Sequence, residues 1–184
     1  RVISFESYVN KSTRAVTETE TATLQKFFVY GYYGTTTVFD GIPVTKDGVN
    51  WKYNGGVHTP WTGGNYYFGA YASTNNAAAA LTNDVTFTGG KLTIGDYTVN
   101  DAEDLVVAWA NVNNSGLTNP TVALDFKHTL SKVVFELTNA STENLSMELT
   151  DIKITVKTEG DCSYDGTTLA WGDSCKAYIQ WYYS

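Results

Sequence analysis

Few residues in this chain have the types and spacing that chemistry needs. His58 lies in GGVHTPW and His128 in FKHTLSK, and neither has a carboxylate or cysteine at the spacing a metal site requires. Both read as structural or solvent-facing histidines. There is no Gly-x-Ser-x-Gly elbow, and neither histidine comes with a serine and aspartate framework for nucleophilic catalysis. Asp101, Glu103 and Asp104 could supply the two carboxylates of a glycosidase. They immediately precede the apolar run Leu105 to Ala110, however, and read as a solvated turn. The segment GDYTVNDAED lacks the ordered oxygen ligands of a calcium loop. The glycine pairs Gly55-Gly56, Gly63-Gly64 and Gly89-Gly90 do not open onto a helix as a phosphate loop does. The expectation is no enzyme, no cofactor and no metal.

Two other groups of side chains could carry function. Trp51, Tyr53, Trp61, Tyr66 and Tyr67 fall within 17 residues around glycine-rich turns. Exposed on a β-sandwich, such rings would stack on sugars, which makes a carbohydrate-binding module the alternative reading. The competing reading places Trp51 and Phe68 in the core and leaves the tyrosines half exposed. Cys162 and Cys175 have 12 residues between them, and a disulfide closing that loop would stabilise by about 3 kcal/mol. If Asp165-Gly166 and Gly172-Asp173 are two-residue hairpin turns, Cys162 faces Leu169 and Cys175 faces Ala170. The sulfurs would then lie two strands apart, roughly 9–10 Å, too far to bridge. Both a Cys162–Cys175 disulfide and two free thiols remain open alternatives.

The elements that must position these residues follow from composition. The 184 residues carry 12 Lys and Arg against 19 Asp and Glu, a net charge of −7. An acidic chain without a basic run is a poor phosphate binder, so nucleic acid is not an expected partner. No apolar run approaches the ~18 residues of a membrane span. There are 27 Thr, 17 Val, 13 Tyr, 16 Gly and 14 Asn, with one Met. Threonine, valine and tyrosine suit pleated, half-buried surfaces, and glycine and asparagine suit the turns between them. The class is all-β. The sequence starts at Arg1 with no signal-peptide core, so an export signal would have been removed or left out.

Periodicity agrees. Ile3, Phe5, Ser7 and Val9 alternate with polar neighbours as a strand, followed by the polar, exposed segment from Asn10 to Thr23. Strands are expected over Leu24–Tyr33, Thr36–Asp40, Val49–Tyr53 and Tyr66–Tyr71, the last apolar on both faces and therefore central. Asn75 to Leu81 is the one candidate helix. Val122, Leu124 and Phe126 share a face, as do Val133, Phe135 and Leu137. In Ser146 to Lys157 the apolar parity changes, which a bulge near Thr150-Asp151 would absorb. About a dozen short strands with turns between them make a β-sandwich the expected architecture, one domain over residues 1–184. The apolar run Ile179 to Tyr183 ends one residue before Ser184, which suggests that the gene continues.

In order, several local strings resemble the fimbrillin family, the Mfa-like or type V pilins of Bacteroidales. They are Ile3-Ser4-Phe5 with Thr13-Arg14-Ala15, Phe28-Val29-Tyr30-Gly31, Phe39-Asp40-Gly41 with Pro43-Val44, Trp51-Lys52-Tyr53, and Trp61 leading into YYFGAY. Asp104-Leu105-Val106-Val107-Ala108 follows, and the strongest string is VALDFKHTLSKVVFEL, Val122 to Leu137. The resemblance implies a transthyretin-like β-sandwich, exported as a lipoprotein to the outer membrane and cell surface. It implies cleavage by an Arg-specific protease at Arg14-Ala15, with residues 1–23 forming the strand and processing segment. Ile3, Phe5 and Val9 would be the inward side chains of the displaced strand. The implied partners are other pilin subunits, joined by strand exchange, with surface glycans or proteins as adhesion targets. His128 and Lys132 look structural. The expected C-terminal sandwich, and with it a donor strand, is absent from these residues.

Overall fold

The structure, a computed structural model, describes residues 1–9, 21, 23–53, 59–73, 80–99, 103–131, 138, 140 and 158–172. Every element among them is a strand. In chain order these are β1 (Ser4–Val9), β2 (Lys26–Tyr33), β3 (Thr36–Asp47), β4 (Asn50–Tyr53), β5 (Asn65–Ala72) and β6 (Val85–Thr88). The second half adds β7 (Lys91–Thr98), β8 (Val106–Asn113), β9 (Thr121–His128), β10 (Glu159–Tyr164) and β11 (Leu169–Trp171). The candidate helix at Asn75, the strand around Val133 and the bulge at Thr150 fall outside the described residues.

Two sheets form the sandwich. One has seven strands in the order β1-β9-β8-β5-β2-β3-β4, and the other has four in the order β11-β10-β7-β6. Alternation along the strands sends consecutive side chains to opposite faces, and the large sheet is apolar on both. Its inner face carries Phe27 and Val29 of β2, Phe68 and Ala70 of β5, and Val122, Leu124 and Phe126 of β9. Its outer face carries Phe28, Tyr71 and Val107, which pack on Leu92, Ile94 and Tyr97 of β7 and on Cys162 and Tyr164 of β10.

Among the described residues no second sheet covers the inner face, and the seven strands curl over their own core. The two edges come within reach of each other. Tyr53 on β4 donates its hydroxyl to the carbonyl of Ile3 at 2.8 Å, and its ring lies 5.8 Å from that of Phe5 on β1. β5 is central, between β2 and β8, and is buried along most of its length, as its two-faced apolar pattern predicts.

Two local readings need correction. β3 does not stop at Asp40 but runs through Gly41-Ile42-Pro43 to Asp47. Register shifts in the β2–β3 pair around Gly31 absorb the irregularity, and Gly41 takes φ 62° beneath the Tyr30 hydroxyl. β4 pairs with β3 only from Val44 to Asp47, so Pro43 sits where a missing N–H costs least. Gly89-Gly90, in place of a phosphate loop, is the two-residue turn of a β6–β7 hairpin, both residues having positive φ, with Thr88 opposite Lys91. Lastly, the β10–β11 turn has four residues rather than two. The Asp165 carboxylate accepts from the backbone N–H of Thr167 and Thr168, which lengthens the turn and sets Cys162 opposite Trp171, not Leu169.

Candidate functional site

The N-terminal strand combines deep burial with sparse backbone attachment. β1 is an edge strand, parallel to β9 in the register Ser4 opposite Thr121 through Val9 opposite Phe126. Phe5, Ser7 and Val9 face inward, while Glu6 and Tyr8 face solvent. Ile3, just ahead of it, is fully buried. Phe5 makes edge-on contacts with Phe27, Phe39, Tyr53 and Phe68, at centroid distances of 5.4–6.0 Å. Each such pair adds about 0.5–1.5 kcal/mol to the area buried. The ends of the strand are fastened separately. Val2 bridges Pro60, and the Val9 N–H donates to the Thr21 hydroxyl at 2.8 Å.

Arg14 and Ala15 lie outside the described residues, as do His58, Lys132, Asp101 and Cys175. The five aromatics do not assemble into an exposed platform. Tyr53, Trp61 and Tyr66 are buried in the inner core, where no sugar could reach them. Trp51 packs against Phe27 on that same inner side, with Lys46 over its ring, whereas Tyr67 lies on the outer face against Tyr32 and Trp109. Their spacing along the sequence reflects strand alternation between the two faces of the sheet.

The reading of Asp104 as part of a solvated turn is overturned, since this residue is fully buried. Its Oδ2 lies 2.8 Å from Nδ1 of His128, which is itself buried. The antiparallel β8–β9 pair causes this. Val106 stands opposite His128, so the residue two before Val106 meets the end of β9. Thr129 completes the junction by donating both its N–H and its hydroxyl to the Leu105 carbonyl. A histidine at the end of one predicted strand and an acid just before its neighbour were the available signal. The pair fastens two core strands.

Nearby groups are held in their neutral forms. Burial pushes the Cys162 thiol up to about 12. The Tyr97 phenol is raised by burial and by Glu103 beside it, and Tyr30 is pushed up to about 12 by burial and by Tyr71. Cys162 is a free thiol. Such groups are poor nucleophiles at neutral pH.

The described residues form an all-β sandwich whose edge strand β1 supplies part of the core. The fimbrillin-like family model matches residues 13–180, and the chain belongs to that family. That makes it one of a structural pilin family, with the role of a subunit in a cell-surface appendage. The match starts beyond β1. No curated protein and no solved structure matches the chain. Among the described residues, no helix is long and apolar enough to cross a membrane.

Proposed function

We propose that this chain is a structural or adhesive subunit of a pilus, whether of stalk, tip or anchor, that assembles by strand replacement. It reaches the outer membrane as a lipoprotein precursor. An Arg-specific protease cuts between Arg14 and Ala15, the strand bearing Ile3, Phe5 and Val9 leaves, and a strand of another subunit takes its place. One observation carries this reading: β1 fills the core with its side chains, and among the described residues it is laddered to the sheet along one edge only. Its departure breaks no pairing between other strands. It would expose an apolar slot lined by Phe27, Phe39, Tyr53 and Phe68, which water penalises and an extended apolar segment would fill.

The sequence contains two arginines, Arg1 and Arg14, and Arg14 is the one that lies between β1 and the rest of the fold. The test is to treat the protein with such a protease and run it unboiled on a denaturing gel. A protease-dependent ladder of multimers, lost in Arg14→Ala, is the expected result. A clipped monomer that never multimerises, or a folded chain that resists cleavage at Arg14, overturns the reading.

A further inference from the structure

Trp61 is more than nine-tenths buried in the same core cluster as Ile3 and Phe5, yet its indole N–H finds no acceptor among the described residues. Such orphaned donors are rare in folded proteins because they forfeit a hydrogen bond to water and gain nothing in return. The register explains this one. Val2 bridges Pro60, the Ile3 N–H donates to the Thr59 carbonyl, and the Trp61 N–H donates to the Arg1 carbonyl, both at 2.9 Å. In that register Arg1, itself exposed, stands directly opposite Trp61. A guanidinium has only donors to offer. The resident strand thus has a side chain that cannot accept at the position paired with the residue whose donor is unfilled. Two residues beyond Phe5 it buries a serine, Ser7, where its other inward positions are apolar.

Building on the strand-replacement reading, we propose that Trp61 is a specificity-determining contact for the strand that takes the place of residues 1–9. The occupant is an extended segment of a second pilin subunit. It has alternating apolar side chains facing inward and an acceptor, Asn, Gln, Ser or Thr, where the resident strand has Arg1. The Trp61 N–H is satisfied only in that assembled state. This favours the incoming strand over the resident one without requiring a larger apolar surface.

The test has two arms. In the intact chain, Arg1→Asn and Arg1→Leu are compared in the native and Trp61→Phe backgrounds by thermal unfolding. Hydrogen exchange of the indole N–H serves as a readout that does not depend on Trp61→Phe folding. The expected result is a higher melting temperature and a protected indole N–H for Arg1→Asn, with the thermal difference lost in Trp61→Phe. In the second arm, acetylated peptides of residues 1–9 carrying Asn or Leu at the first position are labelled and offered to the chain clipped after Arg14. The Asn peptide is expected to bind about tenfold more tightly, and Trp61→Phe to erase the preference. Equal binding of the two peptides overturns the role of Trp61 while leaving strand entry intact. A protected indole in the first arm, with neither peptide entering the clipped chain, overturns the strand-replacement reading and the proposal with it.

Discussion

Buried polar side chains mark the joints of this molecule. Asp104 and His128 meet between β8 and β9, and removing one partner of a buried pair strands the other. Asp104→Ala is expected to destabilise by about 3 kcal/mol in chemical denaturation, with most of that cost absent when His128→Gln is already present. Asn114 is a second joint. It is fully buried, donates to the Thr62 carbonyl and accepts from the Asn119 N–H. It thereby holds a loop in which Leu117 and Asn119 both adopt positive φ. The neutral groups give a pH dependence with a defined sign. Cys162 and Tyr30 have ordinary values of 9.0 and 10.0, and both are pushed up to about 12 in the folded chain. The folded protein therefore keeps protons that the unfolded chain releases. The stability they contribute is complete below about pH 9 and is lost as pH rises toward 12. A melting temperature that falls steadily across that range, with tyrosinate absorbance lagging behind free tyrosine, is the expected observation. A profile flat to pH 12 contradicts it.

At the scale of elements, β1 offers a contrast within six residues. Phe5→Ala removes the ring at the centre of the aromatic cluster and is expected to cost about 3–5 kcal/mol. Tyr8→Ala, on the solvent face, is expected to fall within about 0.5 kcal/mol of wild type. Equal effects at the two positions would mean that β1 is not seated as described. The alternation Ile3-Phe5-Ser7-Val9 announces that difference, because a period of two is the signature of a half-buried strand. Val122, Leu124 and Phe126 were legible for the same reason. The β10–β11 register was not, because it depends on Asp165 capping a longer turn with its side chain. The burial of Asp104 was not read either, since its signal, a histidine at the end of β9, counts only once β8 and β9 are known to pair. The aromatic-rich stretch misleads in the opposite direction: density along the sequence says nothing about which face of the sheet each ring occupies.

For the whole molecule, the seven-stranded sheet nearly closes on itself, and β1 is the strand that completes the closure. Clipping after Arg14 and removing the strand is expected to lower the melting temperature and raise binding of an environment-sensitive apolar dye. Adding a peptide of residues 1–9 should reverse both. If the stripped chain keeps its melting temperature and binds no dye, β1 contributes nothing to the core. Fold class and family were readable from the sequence because they rest on patterns spread over the whole chain. The curl of the sheet was not, because it depends on Ile3 and Tyr53 meeting across a sequence gap that periodicity does not bridge.

The parallel pairing of β1 with β9 also has a consequence for how the chain acquires its shape. Ser4 and Thr121 exchange a hydroxyl contact across 117 residues of sequence, so closing that loop is among the slowest events such a topology allows. During synthesis the N-terminal strand emerges first, but it has nothing to pair with until β9 has been made. It is the first strand of its sheet to be made, and to find its place it must wait for β9, the last described strand of that sheet.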